Sequence, residues 1–146
     1  MSRKTRKNRF LFRLARRTEG AAAVEFSIVL GCLLLLITGI MDFGHAFFLK
    51  QIVTNASREG ARYGVVYQEP RLPAADITAK VRFYLEKAGL TDPSTTTVLV
   101  DPGTGAAGSQ LTVSVSSTKT WWIINYFVPG LGDTVAINAE TRMRYE

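Results

Sequence analysis

Residues 26–49 read FSIVLGCLLLLITGIMDFGHAFFL, and their character decides the architecture of the chain. Residues 26–41 carry no charge and are dominated by Leu33, Leu34, Leu35, Leu36, Ile37 and Ile40; after Asp42 the apolar character resumes with Phe43, Phe47, Phe48 and Leu49. As a helix the uncharged part measures about 24 Å and the whole stretch about 36 Å, against a bilayer hydrocarbon core of ~30 Å. One membrane-spanning helix fits, and we place it at residues 21–48.

The flanks orient that helix. Of the 18 basic residues, eight lie in the first twenty positions against the single acid Glu19. The remaining ten basic and 11 acidic residues leave the rest of the chain at a net charge of −1. The basic character therefore belongs to a tail. In isolation MSRKTRKNRF fits an arm that binds nucleic-acid phosphates. With an apolar run directly behind it, it reads instead as a cytoplasmic leader, residues 1–20, under the positive-inside rule. The larger C-terminal part is then exported, and no nucleic-acid partner is expected.

The chain's 146 residues, 47% apolar and 21% charged, suffice for one modest exported domain. Its only cysteine, Cys32, lies in the apolar run, so that domain has no disulfide framework and stands on its core. Helical spacing continues beyond the membrane: Ile52, Ala56, Tyr63 and Tyr67 share a face, and Pro70 and Pro73 end the helix, giving an outer half at 49–69. Ala56, Gly60 and Gly64 recur every four residues, a narrow strip that a sheet or second helix can approach closely, either within the chain or from another subunit. Beside them Glu59 and Arg62 stand at i, i+3 and can pair.

Residues 70–146 read as an α+β domain. DITAKVRFYLEKAGL offers Asp76 as N-cap, an apolar stripe of Ile77, Val81, Leu85 and Ala88, and Gly89 as a stop. TTTVLVD, LTVSVSST and TVAINAETRMRYE follow as three strands of an antiparallel meander. The last puts Val135, Ile137, Ala139, Thr141, Met143 and Tyr145 on one face. A three-stranded sheet of this size needs a packing partner, for which the outer half of the long helix is available. PGTGAAGSQ lacks the lysine and following helix of a phosphate loop and reads as a hairpin connection. Within WWIINYFVPGLG, Trp121, Trp122 and Tyr126 are either core or amphipathic rings resting at lipid headgroups or on a neighbouring subunit.

Before the anchor the chain reads RRTEGAAAVEFSIVL. A carboxylate just inside a membrane helix is costly, by roughly 2.5–3.5 kcal/mol at mid-bilayer and less near the edge. Cleavage after Gly20 would make Ala21 a new α-amine and Glu25 the fifth residue. The amine of an adjacent subunit would then be a better-placed partner than its own, which lies about 6 Å away along the axis. Otherwise Glu25 snorkels to the interface or complements the positive end of its own helix.

GAAAVEF resembles a type IV prepilin processing site of the Flp/Tad kind, with glycine before the cut, glutamate at mature position five and an aromatic, Phe26, at position six. With IMDFGHAFF at the anchor exit and NASREGARYG on the outer helix, residues 19–67 resemble the TadE-like minor pilins, or pseudopilins, of tight-adherence systems; AETRMRYE is similar more loosely. Where that family usually has proline after the IVL of the anchor, this chain has Gly31, which weakens a helix by about 1 kcal/mol relative to alanine but keeps its hydrogen bond. The resemblance implies a type IV pilin-like fold and a prepilin peptidase cut between Gly20 and Ala21. It implies, further, an assembly and register role for Glu25 and Phe26. The partners it implies are major Flp-type and other minor pilins, the peptidase, an inner-membrane assembly platform and the lipid bilayer.

No enzyme is expected. The single histidine, His45, lies with Asp42 on nearly one face of the anchor, and no second histidine or cysteine completes a metal set, so no catalytic, metal or cofactor site is assigned. A different class is represented by an ordinary secretory precursor cut after Gly44-x-Ala46, before Phe47, or by an uncleaved signal anchor, either presenting a binding domain.

Overall fold

A computed structural model describes residues 4–66, 68–92, 94–128 and 130–145, with side chains described from Gly20 onward. Tyr67, assigned above to the outer helix, and the side chains of the basic leader lie outside the described residues. The chain forms α1 (Lys4–Val65), α2 (Ala74–Lys87), β1 (Thr96–Asp101), β2 (Gln110–Thr120), α3 (Ile124–Phe127) and β3 (Thr134–Arg144). Two compact units divide it, Met1–Ile40 and Met41–Glu146.

In the first unit the large apolar side chains from Val24 to Ile40 are all exposed. Water does not tolerate such a surface, whereas lipid does. Its described hydroxyls are satisfied within the helix: Ser27 Oγ donates to the Ala23 carbonyl at 2.7 Å, and Thr38 Oγ1 to the Leu34 carbonyl at 2.9 Å. A hydrocarbon environment requires this, because it offers no other partner.

In the second unit α1 presents Leu49, Ile52, Val53, Ala56, Ser57 and Ala61 to a closed core. Tyr63 is not part of that face as the spacing suggested. It lies at the edge of the stripe, 38% exposed, with the Lys80 ammonium 5.6 Å from its ring centre. Strand order is β1-β2-β3, antiparallel throughout, with Val98 opposite Val115, Val113 opposite Thr141 and Leu111 opposite Met143. Alternation along β2 turns Leu111, Val113, Val115, Ser117 and Lys119 inward. Ser114 and Ser116 belong to the opposite face, where Ser116 Oγ donates to Asn138 Oδ1 at 2.6 Å. The inner face packs on α1 and on Ile77, Val81 and Leu85 of α2. A hydroxyl contact of 2.8 Å between Ser57 and Thr141 and a bond from Lys50 Nζ to the Asn138 carbonyl tie α1 to β3.

The ends of α2 follow different rules. Asp76 is not the N-cap: the cap lies three residues earlier at Pro73, whose carbonyl accepts from the Asp76 N–H at 3.0 Å. Proline's fixed φ is already helix-compatible, and alanines at 74 and 75 extend the first turn, leaving Asp76 to complement the helix dipole. At the other end Gly89 adopts φ +85°, the Leu90 N–H donates to the Leu85 carbonyl at 2.9 Å, and the Gly89 N–H to that of Glu86 at 3.0 Å. This is a Schellman closure, and the left-handed residue is a glycine. Beyond it Asp92 accepts from Ser94 Oγ and the Ser94 N–H, bonds that hold its carboxyl below the usual carboxylate range.

Close approach of α1 depends on two glycines. A Cβ at Gly60 would stand 2.3 Å from Val81 Cγ2 and 3.3 Å from Val113 Cγ1; one at Gly64 would stand 2.5 Å from Leu111 Cδ2 and 2.6 Å from Ile77 Cδ1. Gly60→Leu is therefore expected to destabilise the C-terminal domain by about 1–3 kcal/mol through overpacking. Gly31→Leu, at a position where a Cβ meets nothing within 4 Å, leaves its stability unchanged. Denaturant unfolding of the detergent-solubilised chain, followed by tryptophan fluorescence, measures both.

Candidate functional site

Two carboxylates flank the apolar run, and the structure treats them differently. At its start, Gly20, Ala21, Glu25 and Phe26 are all helical and all exposed. Glycine is the weakest ordinary helix former after proline, so Gly20 weakens α1 locally, as Gly31, Gly39 and Gly44 do further along. Among the described residues no side chain pairs with Glu25.

At the end of the run, Asp42 is wholly buried. Its Oδ1 accepts from Lys119 Nζ at 2.9 Å and from the Trp122 N–H at 3.1 Å; Oδ2 accepts from the N–H groups of Ile123 and Ile124 at 3.1 and 3.2 Å. Lys119, its side chain 1% exposed, also donates to the Thr120 carbonyl at 3.2 Å and lies 4.4 Å from the Trp121 ring centre. A carboxylate from α1 thus takes up the free N–H groups at the start of α3, which has no side-chain cap of its own. That explains a four-residue helix in a segment without helical periodicity.

The rest of the 121–133 connection follows from this clip. The Trp121 N–H donates to the Asp133 carbonyl at 2.9 Å, and Asn125 Nδ2 to Asp133 Oδ1 at 3.0 Å, closing the loop at its far end. Trp121 is buried and meets Phe43 edge-on, with ring centres 5.6 Å apart. Trp122 is 54% exposed and stacks on His45 at 5.0 Å, and Tyr126 is 82% exposed. Core and surface expectations for these aromatic residues thus divide between adjacent tryptophans. His45 faces a loop of its own chain.

On the outer helix the Glu59–Arg62 pair forms, with Oε2 and Nε 3.4 Å apart, on the solvent side. At its exposure it is worth a few tenths of a kcal/mol. Ala56, Gly60 and Gly64 face inward. Among the described residues no three His, Cys, Asp or Glu side chains cluster closely enough to hold a metal ion.

Sequence reasoning missed the Asp42–Lys119 pair. One signal was available: Lys119 falls on the inward parity of β2, where an unpaired lysine has no place.

A long exposed apolar helix leading into a domain with a short helix and a three-stranded antiparallel sheet defines an α+β fold of the type IV pilin-like kind. Residues 20–62 match the family model described as TadE-like protein, consistent with a TadE-like pilin of the Tad system. No curated protein and no solved structure matches the chain. The matched segment takes in Gly20, Glu25, Asp42, Ala56 and Gly60, but not Gly64, Lys119 or the sheet.

Breaking a buried ion pair from one side leaves an uncompensated charge, at a cost of about 3–5 kcal/mol. Asp42→Ala is expected to cost more than Lys119→Met. The aspartate variant strands the ammonium on one carbonyl and frees three N–H groups, while the lysine variant leaves the carboxylate with all three. Urea unfolding of the two variants beside the parent chain measures the order.

Proposed function

We propose that the chain is a minor pilin or pseudopilin, a membrane-anchored structural subunit for assembly of a Flp/Tad-type pilus. The coarser statement, a Tad pilus-associated protein of a structural, non-enzymatic family that interacts with other pilus components, rests on the family match. The observation that carries the finer one is the conjunction, within residues 20–62, of that match with an exposed apolar stretch of α1 that bears Glu25 five residues after Gly20. The leader holds the precursor in the inner membrane with its N-terminus cytoplasmic. A prepilin peptidase cuts between Gly20 and Ala21, and the exported domain stands on the periplasmic or extracellular side. Glu25 then meets the new α-amine of an adjacent pilin, setting axial register, with Phe26 beside it. Opposite unit charges at ~4 Å attract by about 4 kcal/mol at an effective dielectric of 20, before desolvation is subtracted. The subunit primes or joins the pilus, with adhesion or secretion as the outcome.

The secreted alternative runs against the buried pair. A cut before Phe47 would remove Asp42 and leave Lys119 buried without its counter-ion.

Intact mass and N-terminal sequence of the membrane-extracted protein, with and without the peptidase, test the pathway. The expected product starts at Ala21 and keeps 126 of the 146 residues; a start at Phe47 or an uncut Met1 chain overturns it. Glu25→Gln should leave leader removal intact and reduce co-purification with partner pilins. Normal incorporation of that variant would remove the register role from Glu25.

A further inference from the structure

The last residues of the membrane anchor and the 121–133 connection both expose large apolar side chains. On α1, Phe43, Phe47 and Phe48 are exposed, Phe47 by 71%; on the 121–133 connection, Trp122, Tyr126 and Phe127 are exposed. The Asp42 carboxylate joins the two segments, bonded to three consecutive backbone N–H groups at 122–124, and His45 stacks on Trp122. Residues 121–132 contain no charged side chain. In 42–49 the one full charge is Asp42, which Lys119 neutralises in the interior.

From these observations we infer that this aromatic collar is a membrane-interface anchor: Trp122, Tyr126 and Phe127 rest in the lipid headgroup and upper acyl region beside Phe43, Phe47 and Phe48. Bilayer lipid is the occupant for three reasons. The collar follows the uncharged run directly along α1, separated from it by one aspartate that the fold conceals. Residues 26–41 reach about 24 Å, short of the ~30 Å hydrocarbon thickness, and the phenylalanines at 43, 47 and 48 begin about 3 Å further along the helix, where the deficit lies. Tryptophan and tyrosine, with apolar rings and polar edges, are the residues that concentrate at that depth. The Asp42 clip accordingly fixes the loop next to the anchor, so one chain presents lipid with two segments, and the loop resists tilt of the domain on its single helix. This inference rests on the membrane-anchored reading and adds to it a second, loop-borne contact with lipid.

The chain's two tryptophans allow a direct test in the full-length protein, reconstituted in phosphatidylcholine and phosphatidylglycerol vesicles. Trp121→Phe reports Trp122 alone, and Trp122→Phe reports Trp121. Trp122 emission is expected to be quenched at least about two-fold more by a nitroxide near the headgroup than Trp121 emission, and to be shielded from aqueous acrylamide, as an interfacial ring is. Tyr126→Asp, a charge at a side chain outside the core, should reduce that lipid quenching while the far-ultraviolet circular dichroism is unchanged. Acrylamide quenching of Trp122 without nitroxide quenching overturns the collar, and so does shielding from both with cross-linking of Tyr126 to another protein chain. Release of the parent chain from the vesicles by alkaline carbonate overturns the membrane anchor itself and the collar with it; retention with a water-facing Trp122 overturns the collar alone.

Discussion

A carboxylate at the end of an apolar helix must find both charge and hydrogen bonds, and Asp42 finds them 77 or more residues away, in Lys119 and in three successive backbone N–H groups. Much of the C-terminal domain is arranged by that requirement. The end of β2 is drawn against α1 at Asp42, the chain beyond it folds into α3 because the carboxylate replaces a cap, and Trp121 is carried onto Phe43. Buried ion pairs add little net stability relative to apolar residues of the same volume. Here the pair selects an arrangement: an apolar side chain at 42 would fill the space but would leave the N–H groups of 122–124 without acceptors.

The second constraint is steric. With no cysteine outside the apolar run, the domain has no covalent staple and depends on the density of one core. Gly60 and Gly64 let α1 lie close enough for Val81, Val113, Leu111 and Ile77 to occupy space that a Cβ would take. The two devices act at different places on the same helix segment. Small residues set the distance of α1 from α2 and β2, and Asp42 fixes where the β2–β3 connection meets it.

Features with a short period or a local cause were legible in the sequence. The exposed apolar run, the three strands and the inward face of the last, the Ile77, Val81 and Leu85 stripe and the Gly89 stop all follow from alternation, helical spacing or the steric freedom of glycine. Those that depend on a distant partner were not. Asp42 reads alone as a polar interruption, and α3, at four residues, is too short to carry periodicity and exists through a carboxylate supplied by α1. Asp76 reads as a cap by residue type, whereas the cap falls on Pro73, whose fixed φ is helix-compatible. Tyr63 fits the period of the buried face yet lies at its edge, where Lys80 covers it. Residues 20–62, the part with family resemblance, contain only half of the clip; the other half lies in a stretch without it. The resemblance could therefore point to the anchor exit but not to what secures it.

The two acids that bound the uncharged run separate what this chain does within itself from what it does with others. Asp42 has its full complement of donors inside the domain and nothing left to offer a partner. Glu25 lies exposed on the helix with no described side chain to pair with, in a segment whose environment makes an unpaired charge costly. A chain that satisfies one such carboxylate completely through four contacts has no chemical difficulty in satisfying the other, yet it does not bring one of its described side chains to Glu25. On the proposed reading the difference has a cause: the counter-charge for Glu25 is an α-amine on another molecule, created only when the leader is removed. On that same reading the electrostatic deficit at Glu25 drives assembly, and the full set of donors at Asp42 keeps the exit of the same helix from competing for that partner.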